Sequence, residues 1–70
     1  MRSNAKLPKR LGKTIQRRRK ETGYTQEQLA EKIGVSRAYM GFIEQGRNTP
    51  SLEVLEKIAK HLKISISDLF

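Results

Sequence analysis

Arg37, Ala38, Tyr39 and Phe42 fall within the six residues RAYMGF, directly after Ser36, a residue type suited to capping a helix. An arginine in the first turn of a helix can donate to two acceptors at once, such as the O6 and N7 of a guanine edge, and a neighbouring alanine can touch a thymine methyl. The competing reading of Arg37 is a solvated surface arginine. Met40 and Ile43 supply the inward stripe of the same helix. At about 3.6 residues per turn, that stripe turns Arg37, Ala38, Gly41, Phe42 and Gln45 outward. Phe42 is the odd member, since an exposed phenylalanine on a polar helix needs an apolar partner. That partner is either a thymine methyl or the protein's own N-terminal segment or first helix. Tyr39 can bond a phosphate or lie partly buried beside the preceding helix.

Other chemistries find little support. There is no cysteine, the single His61 cannot hold a metal alone, and the chain has seven carboxylates, of which Glu27, Glu31, Glu53 and Glu56 read as solvated helix faces. No glycine-rich phosphate loop is present, so neither catalysis, nor a metal, nor a cofactor is expected. The formal net charge is +8, and 9 of the 15 basic residues fall in the first twenty positions, which asks for a polyanionic partner. An anionic membrane surface competes with nucleic acid for that role. Leu11 and Ile15 form only a thin apolar stripe amid Lys9, Arg10, Lys13, Arg17, Arg18 and Lys20, too narrow for an interfacial helix, which favours nucleic acid. With no apolar run of membrane-spanning length and no apolar leader, a soluble cytoplasmic protein without a membrane partner is expected.

The elements that must position the reading residues follow from caps and periodicity. Seventy residues suit one small domain. Residues 1–7 show no apolar periodicity and are expected to be a flexible basic arm, with a domain over 8–70 that begins with Pro8 in the first turn of a helix ended by Gly23. Thr25 and Gln28 make a capping box, with Tyr24 ahead of them as a staple. Leu29, Ala30 and Ile33 form the inward face of a helix barely two turns long that Gly34 ends. Only Gly34, Val35 and Ser36 separate it from the next helix, closed by Gly46. The small Ala30 lets the two cross steeply, as in a helix-turn-helix. Ser51 caps a fourth helix with Leu52, Leu55, Ile58, Ala59 and Leu62 inward and Lys63 at its end. Ser65 and Asp68 then start a short fifth helix over residues 66–70. No strand is expected, and the fold class is a compact all-α bundle of five helices.

The stretch TQEQLAEKIGVSRAYMGFIEQGRNTPSL, continued by KIAKHLKISISDLF, resembles the phage-repressor-like (XRE or Cro/C1-type) transcription regulators over roughly residues 9–70, with Gln26, Ala30, Gly34, Glu44, Gly46 and Pro50-Ser51-Leu52 in register. The resemblance implies a lambda-repressor-like domain with its helix-turn-helix at helices 2 and 3. It implies base reading by Ser36, Arg37, Ala38, Tyr39 and Phe42, although the position of Phe42 is commonly polar in that family. Gln26 matches a backbone-clamping glutamine at the start of the second helix, where amides also face a phosphate. Gln45, Arg47 and Asn48 match positions that grip the next stretch of backbone. Arg19 and Glu44 match a partly buried ion pair between the first and third helices, the arginine sometimes also reaching a phosphate. Arg18 replaces an apolar residue of some relatives, which suggests a thinner core or a further phosphate contact. The run Arg37-Ala38-Tyr39 also resembles the Arg-Thr-Tyr run of restriction-modification controllers.

The function implied is sequence-specific binding of double-stranded DNA by a transcriptional repressor. The alternatives are a controller protein of that kind, or an antitoxin or other protein-interaction module that pairs with a toxin. One short recognition helix reads few base pairs, so a homodimer on a pseudo-palindromic operator is expected, with recognition helices about 34 Å apart. Ile64, Ile66, Leu69 and Phe70 exceed what a one-turn helix needs to cover the core. They are the expected dimer interface, with core packing as the alternative for Leu69.

Overall fold

The computed structural model describes the backbone of residues 2–70 and the side chains of residues 8–70. Among these are four α-helices, α1 (Arg2–Thr22), α2 (Gln26–Ile33), α3 (Arg37–Glu44) and α4 (Leu52–Leu62), then a 3-10 turn over Ile66–Leu69, and no strand. The expected fifth helix is therefore a single 3-10 turn. Its four residues close only i→i−3 bonds, Asp68 N–H to the Ser65 carbonyl at 3.0 Å and Phe70 N–H to the Ser67 carbonyl at 3.2 Å, too short a run to establish the α pattern. At the other end, α1 starts at Arg2 rather than Pro8, so the backbone of the segment expected as an arm continues the helix, and Pro8 lies inside it. Ala5, Lys6 and Leu7 are good helix formers, enough to carry the helix past the one bond that proline removes. The side chains of 1–7 lie outside the described residues.

The caps form as the sequence implies. Thr25 Oγ1 accepts the Gln28 amide at 3.0 Å while Gln28 Oε1 accepts the Thr25 amide at 2.9 Å. Ser36 and Ser51 cap α3 and α4 through the amides of Tyr39 and Val54. Each of the four helices also ends in the same pair of bonds, from residues five and three apart: Tyr24 to Arg19 with Gly23 to Lys20, Val35 to Ala30 with Gly34 to Glu31, Arg47 to Phe42 with Gly46 to Ile43, and Ile64 to Ala59 with Lys63 to Lys60. This is the Schellman termination, whose pivot residue needs a positive φ. Gly34 and Gly46 take it without a steric penalty, whereas Lys63 adopts a φ of 61° despite its Cβ.

Leu11 and Ile15 of α1, Leu29, Ala30 and Ile33 of α2, Met40 and Ile43 of α3, Leu55, Ile58, Ala59 and Leu62 of α4, and Leu69 close one core. α2 packs on α3 and α4, and α1 lies against α3, α4 and the 3-10 turn. Leu52 departs from expectation: it is 64% exposed. Helical side chains lean toward the N-terminus, which carries a first-turn residue past the edge of the core, and Pro50 is buried there instead.

The spacing of α1 from α3 is set by Gly12, a residue the sequence reading passed over. A Cβ built on it would lie 2.5 Å from the Ile43 carbonyl oxygen and 2.6 Å from that of Glu44, both backbone atoms. Gly41 is the opposite case, since its added Cβ would meet only Gln26 Oε1, at 3.9 Å. Alanine ordinarily stabilises a helix over glycine by about 0.5–1 kcal/mol. Gly41→Ala should show that gain in urea denaturation, whereas Gly12→Ala should lose about 1–3 kcal/mol through the forced separation of α1 from α3. A Gly12→Ala protein as stable as its parent would show that the close approach is dispensable.

Candidate nucleic-acid interface

α3 presents the face that the sequence predicts. Met40, Ile43 and Glu44 are buried, while Arg37, Ala38 and Gln45 are exposed and Phe42 is 40% exposed. Ser36 is exposed, and its Oγ accepts the Tyr39 amide as the helix cap, which leaves its hydroxyl proton and one lone pair free to bond elsewhere. Tyr39 is half-buried against the core, the alternative to a phosphate contact.

Beside α3, the N-terminus of α2 is tied to it by a buried polar cluster. Arg19 Nε donates to Glu44 Oε2 at 2.6 Å, its Nη2 donates to Glu44 Oε1 at 3.1 Å, and its Nη1 donates to the Tyr24 carbonyl at 2.8 Å. The expected ion pair between α1 and α3 is thus present and bidentate. Arg19 differs from the other residues assigned to phosphate, because its side chain is 7% exposed and each of its three guanidinium nitrogens has an internal partner. Gln26 Nε2 also donates to Glu44 Oε1, at 2.8 Å, a contact the sequence gave no reason to expect. An amide nitrogen carries two protons, so one remains for a phosphate, next to the backbone amides at the open end of α2. Arg18 is half-buried, with its Nε unpartnered among the described residues.

On the far side of α3, Gln45, Arg47 and Asn48 are exposed on the loop that leads to α4. The Schellman bond from the Arg47 amide to the Phe42 carbonyl, 2.9 Å, folds this loop back over α3 and places the Arg47 guanidinium carbon 5.2 Å from the centre of the Phe42 ring. Arg47 is thus a partner of the Phe42 ring that the sequence analysis did not name, and its sequence signal was the five-residue spacing across Gly46. A Cβ on Gly46 would lie 2.7 Å from Lys9 Cα and Cγ, so the basic N-terminal half of α1 abuts the same loop. Lys9, read from sequence only as one of many surrounding charges, thereby packs at Gly46 against the loop that carries Arg47 and Asn48.

The frame is that of a known family. Residues 15–69 match the HTH_3 helix-turn-helix family. The chain belongs to that family. It is 42% identical over 60 residues to the transcriptional regulator SinR of Bacillus subtilis, covering 84% of this chain and 54% of SinR. It is 47% identical over 57 residues to the immunity repressor of Bacillus phage phi105, covering 81% of this chain and 40% of the repressor. The chain thus spans about half the length of the curated relatives it first matches. Among solved structures, SinR in complex with DNA aligns with a TM-score of 0.79 and 40% identity, over 84% of this chain and 95% of that one. The restriction-modification controller C.AhdI of Aeromonas hydrophila aligns with a TM-score of 0.86 and 35% identity, over 94% of this chain and 98% of that one. The relatives are transcription regulators, and among the described residues no helix is long and apolar enough to cross a membrane.

The HTH_3 domain leaves less apolar surface at its last turn than the sequence implied. Leu69, assigned to a dimer interface, is fully buried and belongs to the core, because the 3-10 turn directs it between α1 and α4. Ile64 and Ile66 are partly buried against the core, and only Phe70, 63% exposed, projects freely.

Removing the Glu44 carboxylate would strand a buried guanidinium and free Gln26. Glu44→Ala should therefore cost about 3–5 kcal/mol. The double variant Arg19→Met, Glu44→Leu should recover much of that loss, because no charge is left unpaired. Chemical denaturation of both proteins checks this. Equal losses in the two would mean that the pair acts by packing alone.

Proposed function

We propose that this domain is a sequence-specific double-stranded-DNA-binding transcription regulator, a cytoplasmic repressor without catalytic activity, that binds a pseudo-palindromic operator as a homodimer. The observation that carries the reading is the exposed outer face of α3, with Arg37 and Ala38 in its first turn. It is flanked on one side by Gln26 at the start of α2 and on the other by the Gln45–Asn48 loop against basic α1. SinR, a relative of the same domain, is solved in complex with DNA, which supports transferring that role. In this reading Arg37 takes a guanine edge, Ser36, Ala38 and Phe42 line the groove, and Gln26, Gln45, Arg47 and Asn48 hold the backbone. Tyr39 contributes through its solvent side. A restriction-modification controller is the second reading, favoured by the nearly end-to-end match with C.AhdI.

Selection from a random duplex library, followed by sequencing, tests DNA reading directly and yields the operator. On that operator, Arg37→Ala should abolish discrimination at one base of each half-site at a cost of about 1–3 kcal/mol while non-specific binding survives. Equal weakening on all duplexes would make Arg37 a phosphate contact. Arg47→Ala should weaken random duplex as well as operator and reduce the slope of log K against log salt by about one, and an unchanged slope would remove Arg47 from the backbone contacts.

The dimer surface in this reading is Ile64, Ile66 and Phe70. Sedimentation equilibrium should find a dimer for the native chain and a folded monomer for the variant Ile66→Ser, Phe70→Ser. A native chain that stays monomeric at high micromolar concentration, yet binds one duplex as a single copy, would sink the assignment.

A further inference from the structure

Phe42 and Arg47 lie on opposite sides of the α3 terminus in sequence, yet the Schellman turn makes them one surface feature. In such a turn the residue after the pivot commonly makes an apolar contact with the helical residue five before it. Here that pair is Arg47 and Phe42, and the contact is a guanidinium 5.2 Å from an aromatic centroid, with the backbone bond from the Arg47 amide to the Phe42 carbonyl beneath it. Phe42, on the helix read above as facing DNA, has a cation near its ring and keeps 40% of its surface exposed. The contact modestly favours one placement of the ring. The ring offers no hydrogen-bond donor or acceptor, so the only base feature it can favour is apolar. In the major groove that feature is the methyl on C5 of a pyrimidine.

Resting on the DNA-binding reading above, we propose that Phe42, positioned by Arg47, reads a pyrimidine 5-methyl group in each half-site, the methyl belonging to thymine or to 5-methylcytosine. Arg47 then has two roles, a phosphate contact through its charge and a support for the ring through its plane. Lysine can fill the first role but not the second, because its ammonium is a point charge with no plane to stack.

The experiment is a binding titration on the selected operator in which each thymine is replaced in turn by deoxyuridine, which removes the methyl and nothing else. Burying one methyl predicts a loss of roughly three- to fivefold at one position per half-site. That penalty should vanish in Phe42→Ala, persist in part in Phe42→Leu, and shrink in Arg47→Lys while the salt slope of Arg47→Lys stays native. Circular dichroism confirms that the exposed-site variants fold. At the same position, a cytosine duplex and its 5-methylcytosine counterpart separate the sources. Recovery of binding by 5-methylcytosine assigns the contact to the methyl on either base, and binding that recovers only with thymine restricts it to thymine. A native chain that selects its operator but tolerates deoxyuridine throughout, or a penalty undiminished in Phe42→Ala, overturns the pair while leaving the DNA-binding reading intact. A native chain that selects no duplex overturns the reading itself, and the pair with it.

Discussion

The Glu44 carboxylate is the point on which three elements converge. It accepts two bonds from Arg19 of α1 and one from Gln26 of α2, and it sits at the last residue of α3, while Arg19 also holds the Tyr24 carbonyl in the turn between α1 and α2. Two buried charges lose hydration, and their attraction offsets that cost only when the remaining donors and acceptors are satisfied. Here every guanidinium nitrogen has a partner, and the carboxylate accepts from three donors. A well-packed apolar pair could match such a cluster in stability, so its distinctive contribution is orientation. The planar fork of Arg19 fits the carboxylate in one arrangement, and that arrangement fixes the angle between α1 and α3 and the position of Gln26 beside α3.

Backbone contacts complete what the cluster begins. Gly12 lets the carbonyls of Ile43 and Glu44 approach α1 at a distance no side chain allows, and Gly46 does the same for Lys9. These approaches lie just before and just after the end of α3, on either side of the Glu44 carboxylate in the chain. The repeated Schellman ends explain why the connections are so short: each reverses the chain within the helix's own last turn and needs no further loop to satisfy its carbonyls.

Features governed by neighbours in sequence were legible. The Thr25–Gln28 box, the Ser36 and Ser51 caps, the stops at Gly23, Gly34 and Gly46, and the outward set on α3 all follow from local chemistry or helical rotation. Boundaries beyond a strong cap were not, since nothing local distinguishes an arm from a helical extension across Pro8, or a 3-10 turn from a last α-turn at Ile66. The role of Arg19 was half legible. Resemblance pointed to Glu44, and the spacing Leu11, Ile15, Arg19 places the arginine on the buried stripe, but only the fold shows that Tyr24 and Glu44 together engage all three of its guanidinium nitrogens. Leu69 and Leu52 exchanged places with expectation for one reason: periodicity ranks residues by face and is blind to where along its axis a helix leaves the core. Gln26 on Glu44, and Gly12 against α3, depend on tertiary distance and carry no signature in a single sequence.

The distribution of charge acquires a sharper meaning once the buried pair is set aside. Arg19 and Glu44 cancel each other inside, so the formal charge of +8 lies outside that pair, and Lys9, Arg10, Lys13, Arg17 and Lys20 are exposed along α1. Mutual repulsion among these groups opposes compaction, and a polyanion relieves it, so a duplex bound by the folded chain alone also stabilises that chain. Lys9 packs against the loop after α3 at Gly46, so in the proposed DNA-binding role the basic residues of α1 from Lys9 onward and the outward side chains of α3 belong to one packed unit. Capture by charge in that role brings the outer face of α3 toward the duplex together with α1.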